Sequence, residues 1–122
     1  MRATTTTTVT ATVVALLALA APAAVATAET TNTSSVAQLM VLEPGDKNYK
    51  NFHGAVWLEI DKATYNYRWG GAHCGGKDLS ATSIQLLFAA FRSEYAVALE
   101  YAVTEVKGKQ YRCITGFSVS KT

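Results

Sequence analysis

Hydrophobic and polar residues follow the pattern of half-buried strands in five segments of the chain. Residues 38–42 form a short apolar run, and residues 55–60 mix β-branched with aromatic side chains. Residues 64–69 place aromatic rings at alternate positions, and residues 95–106 and 111–120 form the last two alternating segments. The pattern therefore predicts five strands, separated by turns that contain Gly, Pro, Asp and Lys.

One segment follows the period of a helix instead. Four large apolar residues recur at i, i+3, i+4 and i+7, which is the stripe of a helix packed on a core. They are Ile84, Leu87, Phe88 and Phe91. Asp78 or Ser80 can cap this helix, since a short oxygen-bearing side chain accepts hydrogen bonds from free backbone N–H groups. The helix lies between the third and the fourth predicted strand.

The order strand, strand, strand, helix, strand, strand predicts a mainly β protein with one α-helix, folded as a five-stranded OB-like barrel. A barrel also removes the exposed edges that a small open sheet has to protect. The alternative is an open antiparallel sheet with the helix lying across one face. In the last strand, alternation places Tyr111, Cys113 and Phe117 on one side, and Gly116 marks a bulge or a tight bend.

The N-terminal segment, residues 1–28, resembles a secretory signal peptide. Residues 13–21 form an apolar run of the usual length, and residues 26–28 supply the small-x-small pattern of a cleavage site. The alternative is an N-terminal membrane anchor, which the short, Ala-rich run does not favour. We expect a secreted or periplasmic protein with a flexible tail at residues 29–37, a single OB-like domain at residues 38–122 and no membrane span.

Cys74 and Cys113 are the only two cysteines in the chain. Export places them where a disulfide persists, and closing the loop between them restricts the unfolded chain. The alternative is two free thiols or a metal pair. No Cys-x-x-Cys spacing occurs, however, and the isolated histidines His53 and His73 do not complete a zinc set. The sequence therefore predicts a Cys74–Cys113 disulfide and no metal site.

Charge and motifs narrow the function classes. Eleven Lys and Arg residues stand against nine Asp and Glu residues, a net charge of +2. That charge is too small to indicate a nucleic-acid partner, which needs clustered positive charge. The chain also has no Gly-x-Ser-x-Gly elbow and no phosphate-binding loop. We expect a protein that is not an enzyme and has no cofactor.

Aromatic and polar residues gather around the third predicted strand, where three rings alternate. If the face that carries these rings is exposed, sugar rings can stack on it while neighbouring polar groups hydrogen-bond to their hydroxyls. If the face is buried, the same rings form the core of a small barrel. Both interpretations stay open from the sequence. The candidate ligand-binding residues are Tyr65, Tyr67, Arg68, Trp69, His73 and Lys77.

The layout of these elements resembles a known group of proteins. A loop with Cys74 leads to the apolar helix at residues 84–91, then to a strand at 97–101 and a last strand at 111–117. In this layout, over roughly residues 54–119, the chain is similar to small exported bacterial proteins and to the B subunits of AB5 toxins of the subtilase-cytotoxin and typhoid-toxin kind. That resemblance implies an OB fold, a pentameric ring and a cell-surface glycan as ligand, although the cysteine arrangement departs from that of those toxins.

Taken together, these observations lead us to expect a secreted binding module that recognises a carbohydrate or another cell-surface ligand. By analogy with the toxin subunits, it is a homo-oligomer, specifically a pentamer. The alternative is a small secreted or periplasmic inhibitor that plugs a hydrolase through the glycine-rich loop at residues 70–77.

Overall fold

The structure is a computed structural model that describes residues 28–121. The signal peptide predicted for residues 1–28 lies outside that range, apart from Ala28. The described residues form six strands and one α-helix, with a short 3₁₀ turn at Ala72–Cys74. The strands are β1 Glu29–Thr30, β2 Ser34–Val41, β3 Gly54–Ile60, β4 Ala63–Trp69, β5 Ala96–Val106 and β6 Lys109–Ser120, and the helix is α1 Ala81–Arg92.

Five of the strands close into a barrel. The order around it is β5, β2, β3, β4 and β6, and β6 pairs again with β5. Four of these pairings are antiparallel, whereas β4 and β6 run parallel, with Arg68 opposite Cys113. The predicted mainly β barrel with one helix is therefore confirmed, and the alternative of an open sheet is wrong. Closure pairs strand edges that an open sheet would expose.

The sheet begins earlier than the sequence predicts. Where a flexible tail was expected at residues 29–37, β1 and the start of β2 lie one after the other along the same edge of β5. Thr31 joins them, because its N–H donates to Leu99 O at 2.8 Å and its hydroxyl accepts from Leu99 N at 3.0 Å. The Thr and Ser residues of this segment show no hydrophobic alternation, so the pattern does not predict β1 or the start of β2, although Thr is a good strand former.

Inward-facing side chains of the barrel and one face of α1 form a single core. The core members share almost complete burial, and aliphatic residues dominate the set. They are Val56, Leu58, Tyr67, Trp69, Leu87, Ala90, Val97, Leu99 and Ile114. Gly54 begins β3 beneath the Trp69 indole, where a Cβ would collide with the ring. The close approach of strand and ring thus requires glycine.

Helix α1 packs on the barrel through a narrower stripe than predicted. Leu87 and Ala90 are buried and Ile84 packs against the core, whereas Phe88 and Phe91 are 50% and 39% exposed. The expectation that both phenylalanines face the core is wrong, because the small Ala90 occupies the position of contact. In the range 28–121, no helix is long and apolar enough to cross a membrane.

The two candidate caps of the helix have different roles. Ser80 is the N-cap, and its Oγ accepts from Ser83 N at 3.1 Å. Asp78 instead accepts from His53 Nδ1 at 2.7 Å, an ion pair when the imidazole is protonated. His53 also stacks on Tyr49, with 3.9 Å between ring centroids. The contact between His53 and Asp78 joins the loop before β3 to the segment that precedes the helix.

A β-bulge in β6 reverses which side chains face the core. Thr115 has no partner in β5, because Gly116 pairs with Glu100 and Ile114 pairs with the next residue, Tyr101. Before the bulge, Ile114 faces the core, so strand alternation places Tyr111 and Cys113 on the outer face. After the bulge, Phe117 packs against the core. The bulge predicted near Gly116 is therefore present. The shared side predicted for Tyr111, Cys113 and Phe117 is wrong, because one extra residue changes the alternation.

Candidate functional site

The predicted disulfide is present and fixes the loop between β4 and α1. Cys74 in the 3₁₀ turn is bonded to Cys113 on the outer face of β6, with 5.6 Å between their Cα atoms. Backbone hydrogen bonds also hold the loop, since Gly70 N donates to Lys77 O at 2.6 Å. The loop is thereby closed at its base and bonded to the sheet near its centre.

The same loop is fastened to the segment that precedes β3. His73 N donates to Asn51 O at 2.9 Å, and Ala72 N donates to Lys50 O at 3.0 Å. Gly71 has a positive φ of 70°, and a Cβ there would collide with the backbone of Asn51. Only glycine therefore allows the two segments to approach this closely. These contacts hold the backbone of His73 beside the segment that precedes β3.

An arginine lies at the centre of the outer face. The Arg68 guanidinium on β4 is 4.2 Å from the centroid of the Phe52 ring and 4.9 Å from that of Tyr111. Its Nη1 donates to His73 Nδ1 at 2.8 Å. Cation–π contacts and a hydrogen bond therefore hold this side chain in one place. We call Phe52, Arg68, His73 and Tyr111 the aromatic–arginine cluster.

The rings of the cluster are nearly parallel. His73 stacks on Tyr111 with 3.9 Å between centroids and 6° between planes. Phe52 lies on a plane within 11° of that of His73, at 5.9 Å. Each ring comes from a different part of the chain: the loop before β3, the disulfide-bonded loop and β6. The cluster exists because barrel closure and the disulfide bring these segments together.

The hydrogen bond from Arg68 determines the proton position on His73. Arginine has only donors, so Nδ1 of His73 acts as the acceptor and the neutral ring carries its proton on Nε2. Burial, followed by the positive charges of Arg68 and Lys109, lowers the pKa of His73 below its ordinary value of 6.5. Burial also lowers the pKa of Arg68, whose Nε is buried with no hydrogen-bond partner in the described part of the chain.

A cleft of about 260 Å³ opens beside the cluster, between the loop that holds His73 and the β5–β6 turn. Its lining combines two aromatic side chains, an amide and two ammonium groups, and none of its lining residues is acidic. The lining residues are Asn51, Ala72, His73, Val106, Lys107, Lys109 and Tyr111. Such a cleft can offer a flat surface for stacking together with several hydrogen-bond donors.

The three rings of the predicted ligand surface do not lie together on one exposed face. Tyr67 and Trp69 are only 4% and 1% exposed, so both belong to the core and cannot contact a ligand in this conformation. They face inward because β4 pairs with β3 in a register that places Tyr67 opposite Val56 and Trp69 opposite Gly54. For these two residues, the core interpretation is the one that holds.

Tyr65 is 40% exposed but lies away from the cluster, against a second arginine. The Arg112 guanidinium is 5.6 Å from the centroid of Tyr65 and 5.2 Å from that of Tyr67. Arg112 Nε donates to the backbone carbonyl of Asn66 at 3.2 Å. Burial raises the pKa of Tyr67, and the charge of Arg112 partly opposes that rise.

Of the six candidate ligand-binding residues, the structure brings only Arg68 and His73 into one cluster. Lys77 is exposed at the end of the loop and does not line the cleft. The sequence analysis missed Asn51, Phe52, Lys107, Lys109 and Tyr111. One signal was available: Cys74 is adjacent to His73, and Cys113 is two residues from Tyr111, so a disulfide between them brings the two rings close.

The described residues contain no group of three or more His, Cys, Asp or Glu side chains that could hold a metal ion. Comparisons with protein-family models, with curated proteins and with solved structures find no match to this chain. The resemblance to AB5 toxin B subunits thus stays a prediction, and the interpretation of the site depends on its geometry.

Proposed function

We propose that this protein is an exported binding module that recognises a carbohydrate in the cleft beside the aromatic–arginine cluster. The observation that carries the proposal is the stacked His73–Tyr111 pair at the wall of a cleft that also holds an amide and two ammonium groups. Sugars have apolar ring faces and many hydroxyls, so they bind where a flat ring lies beside polar groups.

Rigidity of the site supports binding without large rearrangement. The disulfide, the backbone bonds to Asn51 and the guanidinium between two rings hold the cleft wall in place before any ligand arrives. Ordering a loop or a long side chain on binding costs free energy that a preformed site does not lose. The cleft is therefore suited to a small, polar and weakly binding ligand such as a sugar.

The residues around the cleft favour binding over catalysis. Nδ1 of His73 is occupied by Arg68, and the lining set contains no Ser, Cys or acidic side chain that could act beside the imidazole. A nucleophile within hydrogen-bond reach of its base is the usual requirement for covalent catalysis. We accordingly propose a protein that is not an enzyme.

The location of the protein is part of the same proposal. A disulfide between the two cysteines and the absence of a membrane-spanning helix in residues 28–121 are compatible with a soluble protein outside the cytoplasm. Together with the leader-like pattern at the N-terminus, they support secretion or the periplasm as its compartment. A carbohydrate on a cell surface is then within its reach.

The alternative, inhibition of a hydrolase by the loop at residues 70–77, has less structural support. The loop is bonded back to the sheet through Cys113 and to the preceding segment through Asn51. It therefore lies along the barrel instead of projecting from it. A pull-down against lysozymes and related hydrolases would reveal such an inhibitor directly.

We also propose that copies of the chain associate, as the resemblance implies. Leu86 and Phe88 on the outer face of α1 are 53% and 50% exposed, and burying such side chains between copies is favourable. Light scattering at micromolar concentration is expected to give a mass above that of one chain. A strict monomer would contradict the association and with it the ring.

A glycan array followed by titration calorimetry tests the carbohydrate proposal. Tyr111→Ala removes the stacking ring and is expected to weaken binding of a glycan found on the array by about tenfold or more. Tyr95→Ala, at an exposed tyrosine outside the cleft, is the matched control and should bind like the wild type. Asn51→Ala leaves the rings in place and keeps the test valid if Tyr111→Ala fails to fold. Failure of the wild type to bind any glycan would contradict the proposal.

A further inference from the structure

The charged groups that line the cleft are all positive. Lys107 lies in the β5–β6 turn and Lys109 is the first residue of β6, and both line the cleft with His73. The ion pair between His53 and Asp78 is the only one within residues 28–121, so neither lysine has a carboxylate partner there. Positive charge without a partner, focused in a cleft, favours an anionic ligand.

Hydrogen-bond donors also dominate the lining. Arg68 holds Nδ1 of His73 as an acceptor, so Nε2–H is the remaining donor of the ring, and it has no hydrogen-bond partner within residues 28–121. Burial first, and then the positive charges of Arg68 and Lys109, lower the pKa of His73, and Lys109 lines the cleft together with this ring. The field that opposes a proton on His73 favours negative charge at the same place.

The kind of anion follows from how the positive groups are held. The usual partner of a carboxylate is the open fork of an arginine, which binds both oxygens in one plane. In Arg68 that fork is not open to a ligand, because two rings flank the guanidinium, Nη1 donates to His73 and Nε is buried. Lys107 and Lys109 offer point charges from two positions, which suits the three-dimensional set of oxygens on a sulfate or a phosphate.

We propose that the carbohydrate ligand carries a sulfate or phosphate ester, and that this oxyanion binds in the cleft between Lys109 and the Nε2–H of His73. The inference rests on the proposed carbohydrate-binding function and names the class of sugar. A bound oxyanion favours the protonated form of His73, although protonation of Nδ1 breaks its hydrogen bond with Arg68. Affinity for the oxyanion therefore rises as the pH falls toward the pKa of that residue.

Dextran sulfate oligosaccharides, compared with unsulfated dextran of the same length, test the inference by calorimetry. The sulfated chain is expected to bind about tenfold or more tightly than the neutral one, since charge-assisted hydrogen bonds are among the strongest available. Inorganic sulfate and inorganic phosphate are titrated separately by NMR. Changes in the amide signals of residues 107–109 and of His73 for either ion would locate the site and show which ion it prefers.

Matched variants separate the cleft from general attraction between charges. Lys109→Gln removes a charge at the cleft, whereas Lys121→Gln removes an exposed charge beyond the far end of the same strand. Lys109→Gln is expected to weaken binding of dextran sulfate about tenfold, and Lys121→Gln should leave it nearly unchanged. His73→Phe keeps a ring on Tyr111 but removes the donor, so the rise in affinity at low pH should disappear.

Each outcome has a distinct meaning. Equal weakening by Lys109→Gln and Lys121→Gln would overturn the inference, because only the net charge would then matter. A neutral glycan that binds in the cleft as tightly as its sulfated form would also overturn it and would leave the proposed function intact. Phosphate or sulfate binding at His73 without binding of any sugar would support the oxyanion site and contradict the carbohydrate proposal.

Discussion

Two arginines on neighbouring strands are held by aromatic rings, but their surroundings differ. Arg112 lies over Tyr65 and Tyr67, and its Nε donates to the backbone carbonyl of Asn66. Arg68 lies between two rings on the outer face, and its Nη1 donates to the imidazole of His73. One arginine is bonded to a backbone group that cannot titrate, and the other to a side chain that can.

This difference separates a contact between two strands from a contact beside an open cleft. The backbone carbonyl that accepts from Arg112 belongs to β4, so the contact joins β6 to β4. The hydrogen bond of Arg68 instead sets the tautomer of His73 beside an open cleft, which changes what that cleft can bind. Under the proposed function, Arg112 therefore serves stability and Arg68 serves recognition.

Loss of the disulfide should affect the Arg68 side most strongly. Cys74→Ser with Cys113→Ser is expected to lower the free energy of unfolding by about 2–5 kcal/mol, the usual cost in a small secreted domain. His73 follows its backbone in the released loop, so glycan affinity should fall as well. Urea denaturation measures the first effect and calorimetry the second.

A thiol titration of native protein exported to the periplasm provides the check on this prediction. Two free thiols in that material would contradict the bridge and the rigid loop. Unchanged glycan affinity in the double variant, with the expected loss of stability, would instead show that the bridge stabilises the fold without positioning His73.

The second prediction exchanges each arginine for methionine, which keeps a long apolar stem. Each change is expected to cost about 1 kcal/mol of stability through the lost cation–π contacts. Arg68→Met should raise the pKa of His73, since a positive neighbour is removed, and Arg112→Met should raise the pKa of Tyr67 further above its ordinary value of 10.0. NMR titration of the two rings measures both.

The crossed effects serve as the controls. Arg112→Met should leave the titration of His73 unchanged, and Arg68→Met should leave that of Tyr67 unchanged, because neither arginine is among the causes that shift the other ring. A shift of both rings by either variant would mean that the surroundings of Arg68 and of Arg112 are coupled through the barrel. The separation of roles described above would then be wrong.

The strands, the disulfide and the N-terminal segment show which parts of the fold can be predicted from the sequence. Alternation along 55–60 and 95–106 was enough to predict strands, because a period of two residues is a local property of the chain. The Cys74–Cys113 bridge could be predicted because no other pairing exists. The tail at 29–37 was mispredicted, since its polar residues belong to a strand whose partner, β5, is nearly 70 residues away.

The site itself was only partly predictable, for a different reason. Whether Trp69 faces the core or a ligand depends on the register of β4 against β3, which alternation alone does not specify. Gly116 marked a bulge or a tight bend, but a glycine alone does not show that the strand gains one residue there, so Tyr111 was assigned to the same side as Phe117. A cluster assembled from four separate segments requires the closed barrel before its members can be recognised.

The smallest effect is expected from the acidity of His73 itself. Its pKa in the folded protein lies below 6.5, so the unfolded chain takes up a proton at this residue more readily than the folded one. Stability therefore falls as the pH drops from above 6.5 toward the lower folded value, and the loss is complete below it. His73→Phe removes the group, keeps the ring on Tyr111 and should lose less stability on acidification.

Urea unfolding of the wild type and of His73→Phe between about pH 8 and pH 5 measures this contribution as a difference. His53 and its partner Asp78 are present in both proteins, so any contribution of this pair cancels from the comparison. The same experiment with Arg112→Met as the background should give the same difference, because Arg112 does not act on His73. A difference between wild type and variant that does not change with pH would show that His73 titrates alike in the folded and unfolded chains, which would remove the electrostatic basis of the contrast between the two arginines.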